Sequence, residues 1–251
     1  MPYDRPIVLS IAGFDPCGGA GVLADIKTFE QQRCLGMAIN TAYTNQVEDC
    51  FISVKWAAPD EIITPLHALM NRYQIDFVKI GIIENLNVLY EIVQVLKQKN
   101  KQVKIIWDPV LAASDNFTFL ESVDRQQLKD ILKEVYLITP NTQEAIILSG
   151  HPDEMTAAKE LSIYCHVLLK GGHSQTEKGN DHLFYNNQCL KIKAGASRAL
   201  APKHGSGCIL SSALTANLAL GNDPESACKK AKQYIENALN SNPNLLAYHV
   251  A

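Results

Sequence analysis

Residues 203–213 read Lys203-His204-Gly205-Ser206-Gly207-Cys208-Ile209-Leu210-Ser211-Ser212-Ala213. Glycines flank Ser206, and apolar residues then recur at helical spacing: Ile209, Leu210, Ala213, Leu214 and Ala216. Gly221 followed by Asn222-Asp223-Pro224 supplies a helix stop. A glycine turn opening into a helix leaves backbone N–H groups unpaired and aligned, and the positive end of the helix dipole adds to their field. The stretch therefore predicts an anion hole for a group in transfer, formed by Gly205, Ser206, Gly207 and Cys208. In the first helical turn a thiol pKa is expected to fall, so Cys208 suits a base towards a substrate hydroxyl. A small buried side chain is the alternative for a free cysteine.

Outward from this helix, short β-rich runs alternate with helical patterns. Strands are expected at 7–12, 37–44, 77–80, 103–107, 135–138 and 166–170, with helices between them at 21–33, 61–73, 86–96, 124–134, 141–148 and 155–164. A hairpin is expected from 182 to 193, turning at Asn186-Asn187, and a last helix from Pro224 to Leu239. No repeat, low-complexity tract or linker interrupts the chain, so residues 1–251 are expected to form one domain. This alternation predicts an α/β fold, three layers deep (α/β/α), with a mainly parallel central sheet.

Composition narrows the functional classes. The chain has 251 residues, of which 47% are hydrophobic, enough for a sizeable core. A net charge of −3 with scattered basic residues argues against nucleic acid or an anionic membrane as the partner. Seven cysteines with irregular spacing and no CxxC pair point to reduced thiols and a cytoplasmic setting. No signal-peptide pattern opens the chain, and no apolar run reaches membrane-spanning length.

Parallel sheets bind ligands beyond the carboxyl ends of their strands. Polar and glycine residues gather at those predicted ends: Gly13-Phe14-Asp15, Asn45-Gln46, Gly81, Asp108-Pro109, Thr139-Pro140-Asn141 and Lys170-Gly171-Gly172-His173. Phosphoryl transfer needs a metal on the phosphate oxygens, cations on the tail and a base for the acceptor. Asp108 and Glu144 are the candidates for Mg²⁺, and Lys170 for a nucleotide phosphate. An Asp-Pro turn, an acid in a first helical turn and a solvated lysine are the ordinary alternatives. Asp15, Gly18-Gly19-Ala20-Gly21 and Gln46 are expected to line an acceptor pocket, where Gln46 suits a nitrogen heterocycle. His173 and His204 carry little weight as phosphate contacts. Walker-A spacing is absent, the glycines at 18–21 miss the dinucleotide fingerprint, and Ser206 is misplaced for a hydrolase elbow.

Several segments together resemble the ribokinase superfamily and, within it, the hydroxymethylpyrimidine/phosphomethylpyrimidine kinases of thiamine biosynthesis. They are Ser10–Gly13 with Asp15-Pro16, Gly18–Gly21, Ala24–Thr28, Val78–Gly81, Asp108–Val110, Ile138–Asn141 with Glu144, Lys170–His173 and His204–Ala213. The resemblance implies a ribokinase-like fold and transfer of the ATP γ-phosphate, with Mg²⁺, to a hydroxymethyl group or its phosphate. It implies Cys208 as base and residues 205–208 as anion hole. Asp108, Asn141, Glu144, Lys170 and Lys232 would serve Mg-ATP. Gly13, Asp15, Gly19, Gln46 and Gly81 would form the acceptor side, and the chain would be a homodimer. Four places depart from the family pattern: Phe14, Val47-Glu48-Asp49, Leu111–Phe119 and Lys203. The alternatives are a pyridoxal or pyridoxine kinase, whose substrate ring also carries a hydroxymethyl group, and a weakly catalytic pyrimidine sensor.

Overall fold

The computed structural model describes residues 4–112, 119, 123–172, 179–195 and 202–249. Seventeen elements follow in order: β1 (Ile7–Phe14), α1 (Gly21–Gln31), β2 (Leu35–Val47), β3 (Cys50–Trp56), α2 (Pro59–Arg72), β4 (Phe77–Ile80), α3 (Leu86–Lys99), β5 (Lys104–Trp107), α4 (Arg125–Glu134), β6 (Leu137–Ile138), α5 (Thr142–Ser149), α6 (Glu154–Leu161), β7 (His166–Leu169), β8 (Asp181–Tyr185), β9 (Gln188–Ile192), α7 (Ser206–Ala219) and α8 (Pro224–Leu239). The strands form one sheet in the order β3-β2-β1-β4-β5-β6-β7-β8-β9. β2, β1, β4, β5, β6 and β7 are parallel neighbours, while β3, β8 and β9 join as antiparallel strands.

The period-2 alternation of strands divides the core into two layers. Leu9, Ile11, Val78, Ile80, Ile105 and Trp107 face the side covered by α2 to α6. Val8 and Ile106 face the other side, under α1, α7 and α8. This is the expected α/β/α arrangement. α7 is buried along almost its whole length, from Ile209 to Leu218, so its N-terminus is held rigidly at the sheet edge.

The structure differs from expectation at one edge of the sheet. β2 runs to Val47 and turns through Glu48-Asp49 into β3, a strand the periodicity did not predict. β3 is mostly exposed, so it shows little hydrophobic contrast from one face to the other. β6 is also shorter than expected, because Val135 caps α4. At the other edge, Asn186 and Asn187 take positive φ of 50° and 60°, the backbone that a two-residue hairpin needs. No described helix is long and apolar enough to cross a membrane.

Candidate active site

Four parallel strands deliver their ends to one edge: β1 leads to Asp15, β5 to Asp108, β6 to Asn141 and β7 to Lys170. Asn141 and Lys170 are joined by a parallel bridge just past the strands. The N-termini of α1, α5 and α7 arrive at the same edge. Gly205 caps α7 at φ 70°, and a Cβ there would lie 2.0 Å from the Gly19 carbonyl oxygen. Only glycine lets the two turns pack backbone to backbone. The first helical bond of α7 runs from Ile209 N–H to Gly205 O at 3.0 Å. Among the described residues the Gly207 and Cys208 N–H groups have no acceptor, as an anion hole requires. A Cβ on Gly207 would stand 3.4 Å from Lys170 Nζ, so an ammonium sits beside the helix terminus.

That ammonium holds both expected metal-site acids. Lys170 Nζ donates to Asp108 Oδ1 at 2.8 Å and lies 3.7 Å from Glu144 Oε2. Asp108 is fully buried and accepts from Thr139 Oγ1 at 2.9 Å and Ser211 Oγ at 3.0 Å. Burial opposes its ionisation, but Lys170 and Lys79 prevail and hold the carboxyl below its ordinary value. Glu144 is the N3 residue of a capping box. Its Oε2 accepts from Asn141 N–H at 2.6 Å, while Asn141 Oδ1 accepts from Glu144 N–H at 2.9 Å. Burial, reinforced by the charge of Asp108, raises Glu144 to about 7 despite Lys170. Two carboxylates thus share one ammonium.

Cys208 corrects the sequence expectation. Its thiol is raised, not lowered: burial dominates, Asp108 and Asp25 push the same way, and the opposing charge of Lys79 is outweighed. The helix dipole is one field among several here. Lys79 and Asp25 are charged residues to which the sequence reading gave no role. Both are 0% exposed, with Lys79 Nζ 2.9 Å from each Asp25 oxygen. Asp25 also accepts from Ser10 Oγ at 2.6 Å and Ser212 Oγ at 2.5 Å, joining β1, α1, β4 and α7. The signal was present: a lysine between Val78 and Ile80, in a strand covered on both faces, demands a partner.

Asp15 turns into its own loop. It accepts from the N–H groups of Cys17, Gly19 and Ala20 at 3.0, 3.1 and 2.8 Å, and lies 3.0 Å from His204 Nε2. Burial works against its charge, but bonds from His204, Cys17 and Ala20 bring its pKa down to about 2. It therefore shapes its own loop, where an acceptor pocket is expected, rather than projecting from it. Gly13 and Gly19 are buried in that region, Gly19 against the His204 ring. Gly81 borders a small cleft together with Trp107, Pro109 and Val110. Gln46 is half-buried on β2 opposite Phe51, beyond the pairing of β2 with β1. Lys232 Nζ is paired with Asp181 at 2.8 Å, and the other Asp181 oxygen takes the Gly171 N–H at 2.8 Å. It braces the turn after β7. His173 lies outside the described residues, as do 113–118 of the departing segment Leu111–Phe119. Phe14 packs on Tyr43, with ring centroids 6.1 Å apart. Lys203 is buried, its ammonium held by Asn242 O at 2.5 Å and by Asn244 O, and it ties the C-terminal segment to the turn before α7.

The sequence and the fold are similar to those of known proteins. The sequence profile described as Phosphomethylpyrimidine kinase matches residues 15–251. The hydroxymethylpyrimidine/phosphomethylpyrimidine kinase of Aquifex aeolicus (strain VF5) is 34% identical over 249 residues, covering 95% of this chain and 96% of that protein. A crystal structure of phosphomethylpyrimidine kinase from Clostridium difficile 630 superposes with a TM-score of 0.78 at 31% identity, over 94% of this chain and 100% of the other. The pyridoxal kinase from Staphylococcus aureus in complex with pyridoxal gives a TM-score of 0.83 at 26% identity, over 98% and 92% of the two chains. This chain belongs to the phosphomethylpyrimidine kinase family and is a phosphotransferase.

Proposed function

We propose that the chain uses Mg-ATP to phosphorylate hydroxymethylpyrimidine and then its monophosphate, within one domain, in thiamine biosynthesis. The observation that carries the reading is the α7 N-terminus: Gly207 and Cys208 N–H groups without an acceptor among the described residues, a lysine at their side and a thiol in the same turn. Those donors are aimed where negative charge develops on a phosphoryl group in transfer. Lys170, now on Asp108 and Glu144, is placed to share its charge with a nucleotide phosphate. Asn141 shapes the adjoining turn, and Lys232 steadies Gly171 beside it. Cys208 takes the proton of the acceptor hydroxyl. Because its thiol is raised, turnover through it should increase with pH across neutrality.

Asp108 and Glu144 fit Mg²⁺, since the ion takes one or two carboxylates and keeps several waters. Burial is the main cause of the raised pKa of Glu144, with the charge of Asp108 adding to it, and a bound cation would favour the ionised carboxylate. When bound, Mg²⁺ supplies neutralisation of the phosphate oxygens. Seven free thiols support a reducing, cytoplasmic setting. We assign a homodimer contact to the exposed edge strand β3 and its neighbour, where Tyr43 is 54% and Ile52 60% exposed. Sedimentation as a monomer at micromolar concentration would refute that contact.

Pyridoxal is the second substrate reading, favoured by the superposition on the S. aureus kinase. Product analysis with Mg-ATP and each of hydroxymethylpyrimidine, its monophosphate and pyridoxal separates the cases. Phosphorylation of both pyrimidines is the expected result. Product from pyridoxal alone overturns the pyrimidine assignment, and binding without any product points to a sensor. Cys208→Ala should lower kcat much more than acceptor affinity; an unchanged kcat removes Cys208 from the chemistry.

A further inference from the structure

The phosphoryl transfer makes no use of the thiol of Cys17, which lies in the acceptor loop beside the Asp15–His204 contact. We propose that Asp15, Cys17 and His204 form a site for one divalent ion of the zinc class, clamping the acceptor loop to the anion-hole turn. Cys17 Sγ lies 3.0 Å from Asp15 Oδ1 and 3.3 Å from Oδ2, and His204 Nε2 lies 3.0 Å from Oδ2. The three ligand atoms fall within 4.8 Å of one another. A tetrahedral ion with Zn–N and Zn–O bonds of about 2.0–2.1 Å and Zn–S of about 2.3 Å spaces its ligands roughly 3.3–3.6 Å apart. The N···O and S···O edges therefore need to open by only about half an ångström or less.

The donor set selects the ion. Thiolate, imidazole and carboxylate together suit zinc, whereas Mg²⁺ takes oxygen ligands, so this site is chemically distinct from Asp108 and Glu144. Three protein ligands leave a fourth position for water. Support from behind is already in place. Asp15 is oriented by the Cys17, Gly19 and Ala20 N–H groups, and the His204 backbone N–H is fixed to Leu245 O at 2.9 Å. Asp15 is buried, but Cys17 and His204 are only partly so, which leaves a path from solvent. Binding replaces two contacts, the Cys17 S–H on Asp15 and the Asp15–His204 hydrogen bond. The thiol proton leaves to solvent as the S–metal bond forms. A neutral His204 binds through Nε2 with its proton on Nδ1 and releases none.

The test is titration of metal-free, nucleotide-free protein with Co²⁺, an optical stand-in for zinc. One equivalent should give the intense visible bands of a tetrahedral site together with thiolate-to-cobalt charge transfer, and Zn²⁺ should displace both. Cys17→Ser should abolish the charge-transfer band, and His204→Gln should weaken binding by at least about tenfold. No charge transfer in the wild type, or a band that persists in Cys17→Ser, overturns the proposal. A second measurement needs no variant. Zn²⁺ should slow alkylation of Cys17 at least about tenfold, read by peptide mass spectrometry, while exposed Cys50 and Cys189 react as before. Equal labelling of Cys17 with and without Zn²⁺ also overturns it.

Discussion

Replacing Lys79 by methionine tests whether the core under the anion hole depends on its buried charge pair. Lys79 Nζ contacts both Asp25 oxygens at 2.9 Å, and neither side chain is exposed. Methionine matches the aliphatic stem but leaves Asp25 with only the Ser10 and Ser212 hydroxyls as donors. Removing one partner of a buried pair costs about 3–5 kcal/mol, because the surviving charge is uncompensated. Native stabilities lie at about 5–15 kcal/mol, so the loss should be conspicuous. With a urea m-value of about 3 kcal/mol/M, the unfolding midpoint should fall by about 1–2 M. Lys79→Met/Asp25→Leu should recover most of the loss, since an apolar replacement of the whole pair is nearly neutral or better. The assay is urea unfolding followed by circular dichroism for wild type, both single variants and the double variant. A loss below about 1 kcal/mol for Lys79→Met, or a double variant no more stable than the single one, would refute the reasoning.

Three further outcomes follow from the site. Glu144 is raised to about 7 from 4.5, so its contribution to stability is full below pH 4.5 and lost as pH rises through 7. Glu144→Gln should therefore be up to about 3 kcal/mol more stable than wild type at pH 8, and no more stable near pH 4.5, while losing turnover; calorimetry across that range reads it. Asp15 is depressed to about 2 from 3.8, so its contribution is present above pH 4 and lost as pH falls through 2. Asp15→Asn should cost about 2 kcal/mol at pH 7, with the gap closing in acid, as thermal melts between pH 2 and 7 would show. Gly205→Ala puts a methyl 2.0 Å from a backbone oxygen at φ 70°. It should lower kcat by about 100-fold or more by displacing the anion-hole donors, with an unchanged kcat counting against that role.

Much of this architecture was legible because it rests on local signals. Buried parallel strands read as apolar runs, Gly150 ends α5 in the left-handed conformation, and Asn186-Asn187 make the β8–β9 hairpin. The site edge was legible as well, since strand-end loops carry the chemistry of parallel sheets. What escaped was pairing at a distance. Asp25 meets Lys79 across 54 residues, Asp108 meets Lys170 across 62, and Asp15 meets His204 across 189. Apart from Lys79, whose place inside a buried strand already demands a partner, each residue alone reads as an ordinary surface charge or turn residue. Only the strand order puts them in contact, and there burial turns a weak local preference into an obligatory bond. Lys203 was legible as a departure but not as an anchor, because two of its acceptors are backbone carbonyls with no side-chain signature and the third is the Asn242 amide, 39 residues away.

Cys208 shows why the sign of an electrostatic argument needs the fold. A helix N-terminus alone stabilises a thiolate. Around this thiol, burial and the charges of Asp108 and Asp25 act the other way, and Lys79 offsets them only in part. A thiol held above its ordinary pKa is ionised less often, yet its thiolate is the stronger base, so population and basicity pull a general base in opposite directions. The balance can be read without substrate. Alkylation of Cys208 proceeds through the thiolate, so its rate should climb with pH beyond the range of an ordinary cysteine. In folded Lys79→Met the climb should move to still higher pH, because the cation that lowers the thiol most is gone. A shift to lower pH would mean that Lys79 does not set the field at this sulfur.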